Sequence, residues 1–129
     1  MCIMNKFVVF CIVSSLLIYC TSDRVVDLGC GYKYRDEGGD INDIYCEQRS
    51  GGFIPANVLD YAYNDKFIVA RQHPKLPPDP LCEINFNYPE KVSDFYWIIL
   101  KNEHVVLGPF LLYDYLKEKK RLNICLEFD

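Results

Sequence analysis

The chain has 129 residues, 50% of them hydrophobic and 25% charged, a balance that fits one globular domain and excludes a disordered segment. Its formal net charge is −4, and no basic patch with interleaved aromatics occurs, which speaks against a nucleic-acid partner. No CxxC, His-Glu-x-x-His, Gly-x-Ser-x-Gly or phosphate-binding loop is present, so no metal centre, no cofactor and no familiar catalytic motif is expected.

Residues 7–19 read FVVFCIVSSLLIY, with Lys6 just before and Asp23 and Arg24 soon after. A positive start and a short uncharged run form the pattern of a secretory signal peptide. A membrane-spanning helix needs about 20 apolar residues, more than this run holds. The expectation is a signal peptide over residues 1–19 and a single exported domain over 20–129, with 20–24 as a tether. A buried N-terminal core helix is the bland alternative. Two processing routes fit the signal reading. Leu17-Ile18-Tyr19-Cys20 resembles a bacterial lipobox, which would make Cys20 the first mature residue. Its thiol would then carry diacylglycerol, with acyl chains such as palmitate as the membrane anchor. Tyr19 departs from that pattern, since a small residue is expected there. Cleavage after Ser22 by ordinary signal peptidase would instead release a secreted, unanchored protein.

Beyond the signal segment stand Cys30, Cys46, Cys82 and Cys125. An even set in an exported chain permits two disulfides. Pairing of the tracts around Cys30 and Cys46 would bring those two face to face. Buried free thiols are the other reading.

Six tracts read as strands. VVDLGCGYKYR comes first, with Gly29 and Gly31 marking a bulge or a close backbone approach, and DIYCEQR comes second. DEGGD between them is a turn, because Gly38-Gly39 reaches positive φ without steric cost. NVLDYAY and KFIVARQ flank Asn64-Asp65, a short hairpin signal. DFYWIIL and HVVLG follow, joined around Lys101-Asn102-Glu103; connections this short require antiparallel neighbours. Between His73 and Asp94 the tract PKLPPDP cannot be a central strand, so a long loop is expected, with room for an edge strand at CEINFNY. Gly108-Pro109 is read as the stop of the sixth strand. After it the period changes. Leu112, Tyr115, Leu116 and Lys119 share one helical face, with Asp114, Lys117, Glu118 and Arg121 turned outward. This predicts a helix over about 111–121. Leu122, Ile124, Leu126 and Phe128 then alternate with polar residues as in a terminal strand. The fold class expected is α+β: an antiparallel sheet of five to seven strands with one C-terminal helix packed on it. A closed small β-barrel is the alternative.

FIVARQ at 67–72, then FYWIILKNEHVVLGPFLLYDYLKEKKRLNI at 95–124, resembles a family of small bacterial lipoproteins known only as a domain of unknown function. The resemblance covers roughly the last two-thirds of the chain, with DLGCGYKY as a weaker echo before it. This chain departs from the pattern by a proline-rich insertion at 74–89. The resemblance implies export and a lipid anchor. It brings no catalytic residues.

Three constellations bear on chemistry. DEGGDINDIYCE at 36–47 carries acids at the first and twelfth positions of a calcium loop, but Gly38 and Ile41 break the pattern inside, so it reads as a solvated turn. His73 and His104 are the only histidines, and each would need a distant partner to act. They read as surface residues. Tyr32 and Tyr34 share one strand face, as do Tyr61 and Tyr63, so these four form a candidate binding face for an envelope protein or a glycan. A half-buried sheet core is the competing reading. Taken together the sequence describes a bacterial cell-envelope lipoprotein that acts as a non-enzymatic binding or inhibitory module. A small secreted enzyme using His104 and an unanchored secreted effector are the alternatives.

Overall fold

The computed structural model describes residues 24–39, 41–75, 88 and 93–129. The expected signal peptide at 1–19, Cys20 and Cys82 lie outside the described residues, as does all but Tyr88 of the CEINFNY tract. The strands are β1 (Arg24–Gly29), β2 (Tyr32–Asp36), β3 (Asn42–Cys46), β4 (Phe53–Ile54), β5 (Val58–Tyr63), β6 (Phe67–Gln72), β7 (Phe95–Leu100) and β8 (Val105–Phe110). One helix follows, α1 (Leu112–Arg121).

The eight strands form two antiparallel four-stranded sheets and not the single sheet expected. The first runs β1-β2-β3-β4 and the second β5-β6-β7-β8. The first tract, expected as one strand, supplies two. VVDLGCGYKYR is itself a hairpin: Gly29, Cys30 and Gly31 all take positive φ and turn the chain back, so Val26 pairs with Tyr34. The Asn64-Asp65 hairpin forms as read. Asn64 Oδ1 accepts from the backbone N–H of Lys66 (2.9 Å) and of Phe67 (2.8 Å), closing β5 onto β6.

Inner strands of the second sheet are buried on both faces, which is why FIVA and WII read as continuous apolar runs. Ile68, Ala70, Trp97 and Ile99 point at the first sheet and meet Leu28, Tyr32, Ile44 and Ile54. Val69 and Ile98 point the other way and meet Tyr115 and Ile124. The layers are therefore sheet, sheet, helix. Each fully buried aliphatic or aromatic side chain contributes about 1.5–3 kcal/mol relative to exposure.

The buried polar groups of Gln72 and Trp97 are joined to one another, as burial demands. Trp97 Nε1 donates to Gln72 Oε1 at 2.7 Å, and Gln72 Nε2 donates to the Ala56 carbonyl (3.2 Å) and the Tyr88 hydroxyl (3.1 Å). Gly108 does not end β8, which continues through Pro109 to Phe110. It sits at φ 136°, and a Cβ there would stand 2.9 Å from the Trp97 ring and from the Tyr96 carbonyl.

The C-terminal expectations need two corrections. Tyr115 and Lys119 of α1 are buried, but Leu112 and Leu116 are about half exposed. Residues 122–129 form no strand, yet Ile124, Leu126 and Phe128 still pack against the second sheet. No helix among the described residues is long and apolar enough to cross a membrane.

Candidate functional site

Edge strand β5 positions the site. Val58, Asp60, Tyr61, Ala62 and Tyr63 pair with β6, and a bulge between Val58 and Asp60 leaves Leu59 unpaired in register. The other side of β5 has no partner strand among the described residues. Tyr61 pairs with Ala70 and Tyr63 with Ile68, which places both tyrosines on the side that looks toward the first sheet. Asp60 pairs with Arg71 and Ala62 with Val69, on the side that carries α1.

A cleft of about 500 Å³ is lined by Leu59, Asp60, Tyr61, Ala62 and Tyr63 together with Tyr34, Glu127 and Asp129. Five consecutive residues of one strand cannot line a cleft that lies on a single sheet face, since successive side chains point to opposite faces. The cleft therefore straddles the free edge of β5. Tyrosines form one wall. Tyr34, from the first sheet, stacks on Tyr61 with ring centroids 4.5 Å apart, and Tyr63 stands 6.4 Å beyond Tyr61. Carboxylates form the other wall. Burial pushes the phenol pKa of Tyr34 and of Tyr61 upward, so both are neutral hydrogen-bonding rings at neutral pH.

The acidic wall is braced from outside. Arg71 donates to Asp60 Oδ2 from Nε (2.9 Å) and Nη2 (2.6 Å), and to Asp94 Oδ2 from Nη1 (2.9 Å). Donating to the Asp60 carboxylate raises the pKa of Arg71 further. Asp94 Oδ1 in turn meets His73 Nδ1 at 2.9 Å. Glu127 accepts from Lys119 Nζ at 2.6 Å while its own side chain stays 81% exposed. No ion pair engages Asp129 among the described residues.

Of the four tyrosines expected on one face, the structure brings three together. Tyr32 is the exception. It shares the inward face with Tyr34 but is fully buried, its hydroxyl donating to the Gly51 carbonyl at 2.6 Å, with its pKa pushed up to about 12 by burial. The two histidines stand at opposite ends of β7. His73 lies beside Asp94 at its start, and His104 follows Lys101 at its end. Nε2 of His104 faces the Cys30 carbonyl at 3.1 Å, so it carries the proton and donates. Neither lines the cleft.

Cys30, Cys46 and Cys125 are free thiols. The tracts of Cys30 and Cys46 do lie side by side, but the register sets Tyr32 opposite Cys46, and Cys30 stands in the β1–β2 turn with its sulfur 3.5 Å from Asn102 Oδ1. No metal-binding group of His, Cys, Asp or Glu occurs among the described residues. Sequence reasoning missed Asp60, Glu127 and Asp129. Asp60 could have been placed opposite Tyr61 from the alternation in NVLDYAY, but no local pattern brings residues 127 and 129 to β5.

Residues 33–129 match the family model described as Protein of unknown function (DUF3997). The chain belongs to that family. No curated protein matches it, and no solved structure does. The family match covers β3 to β8, α1, all but the first residue of β2 and every residue of the cleft.

Proposed function

We propose that this protein is a non-enzymatic binding module of the bacterial cell envelope, held to the membrane by lipid on Cys20, with the β5 cleft as its recognition site. The cleft carries the reading: three tyrosine rings and three carboxylates converge on a concave edge. Rigid amphipathic rings and a few placed polar groups are what ligand sites are made of. The envelope and anchor parts rest on the uncharged run at 7–19 followed by Cys20, with polar Thr21-Ser22-Asp23 as a tether; Arg24, expected in that tether, belongs to β1. Against catalysis by the histidines stands their separation along β7 and the commitment of His104 Nε2 to a backbone carbonyl.

The test compares wild type with Tyr63→Ala, a change at an exposed ring that leaves the core intact. Immobilised wild type should retain a component of envelope extract that the variant does not. Turnover of a broad hydrolase substrate panel, abolished by His73→Ala, would overturn the non-enzymatic reading.

A further inference from the structure

From the geometry of the cleft we infer that its ligand is an extended polypeptide segment, with basic and apolar side chains in alternation, that adds to β5 as a fifth strand of the second sheet. This deepens the binding-module reading and rests on it.

Three observations lead there. First, the cleft straddles the edge of β5, so an occupant lies beside backbone N–H and C=O groups that have no partner strand among the described residues. An exposed strand edge is a template for another strand, with main-chain hydrogen bonds giving affinity and alternate side-chain sites giving specificity. Second, the two walls differ. A strand laid along β5 sends alternate side chains to opposite sides. One set would meet the rings of Tyr34, Tyr61 and Tyr63, and the other would meet Asp60, Glu127 and Asp129. Third, the charge is one-sided. No basic residue lines the cleft. Arg71 is shared between Asp60 and Asp94, which leaves that group net negative, and Asp129 adds a further negative charge. Ammonium and guanidinium groups suit this wall. Apolar side chains suit the rings, and the ammonium of Lys101 already stands 5.8 Å from the centroid of Tyr63. A second copy of this chain is the wrong occupant, because its own β5 would bring Asp60 against the same carboxylates.

The test titrates the purified full-length chain, in detergent, with four peptides: one alternating lysine and valine; a block isomer of the same composition; the alternating peptide with glutamate for lysine; and the alternating peptide N-methylated at every second residue. The alternating peptide should bind, and each of the other three should bind at least about tenfold more weakly. Asp129→Asn and Tyr63→Ala, both exposed sites, should each weaken the alternating peptide. Equal binding of the block or N-methylated peptide would overturn strand addition. If the alternating peptide fails while a neutral N-acetylglucosamine oligomer binds wild type and not Tyr63→Ala, the polypeptide inference fails and the binding module stands. If neither probe binds and Tyr63→Ala leaves envelope capture unchanged, both fail.

Discussion

The ring of Tyr34 lies 4.5 Å from that of Tyr61, centroid to centroid, although one residue belongs to the first sheet and the other to the second. This stack ties the open end of the sandwich together and builds a wall of the cleft. Offset aromatic pairs add about 0.5–1.5 kcal/mol beyond the area they bury. Tyr34→Ala and Tyr61→Ala should each destabilise the fold, and the double variant should lose less than the sum by about that coupling. Urea denaturation of the four proteins checks it; strict additivity would mean that the rings merely share a surface.

Four phenols should titrate late. Burial raises Tyr34 and Tyr61 above the ordinary 10.0 and pushes Tyr32 and Tyr115 to about 12. A group whose folded pKa lies above its unfolded value contributes stability that is fully present below the unfolded value. Stability should therefore be insensitive to these phenols up to about pH 10 and fall between about 10 and 12, as the unfolded chain ionises first. Alkaline titration followed by phenolate absorbance should show these four phenols as a late class that appears with unfolding. A single class at the ordinary value would contradict the burial of Tyr32 and Tyr115.

The strands of the second sheet were legible because each carries its own signal. Asn64-Asp65 sets a hairpin through the Asn64 side chain, and unbroken FIVA and WII announce burial on both faces. What the sequence concealed was how the strands divide. Nothing local in GCGYKY distinguishes a bulge from a full reversal, and the two-residue strand Phe53–Ile54 is too short to show a period. The face shared by Tyr32 and Tyr34 was readable from alternation, but the depth of each was not. Tyr32 is sealed by the turn at Arg49–Gly51, whose Gly51 carbonyl takes its hydroxyl, whereas Tyr34 lies nearer the open end. The acidic wall depends on a C-terminal segment that crosses the sheet without strand pairing, which periodicity could only report as a strand.

Gly108→Ala tests a close approach within the second sheet. The added methyl would stand 2.9 Å from both the Trp97 ring and the Tyr96 carbonyl, at φ 136°, where a side chain is strained. A non-glycine residue in such a region costs about 1–3 kcal/mol from the backbone alone, and the collision adds to it. The loss should be read by denaturation and by Trp97 fluorescence, since Trp97 is the sole tryptophan. An unchanged midpoint would show that the contact relaxes freely.

Arg71→Lys should matter less than its three hydrogen bonds suggest. Arg71, Asp60 and Asp94 are each about one-third exposed, so solvent screens them. Lysine keeps the charge but lacks the planar fork that reaches both carboxylates at once. The expected loss is about 1 kcal/mol or less, shrinking as salt rises. A loss of several kcal/mol, unaffected by salt, would mean that the network is a structural keystone and not a brace for the acidic wall.

Cys20→Ser separates anchor from domain. The proposed thioether would join Cys20 to acyl chains, each buried CH₂ of which contributes about 0.8 kcal/mol to membrane association. The formal net charge of −4 gives the chain no attraction of its own toward anionic lipid, so covalent lipid has to supply the affinity. In a bacterial host, wild type should partition with membranes and carry a mass increment on its first mature residue. Cys20→Ser should accumulate in the soluble or medium fraction with its thermal midpoint unchanged, because residue 20 precedes β1, which begins at Arg24. Wild type recovered soluble, with an N-terminus at Asp23, would replace the anchor with ordinary secretion. Membrane retention of Cys20→Ser would instead assign the attachment to an uncleaved apolar run at residues 7–19.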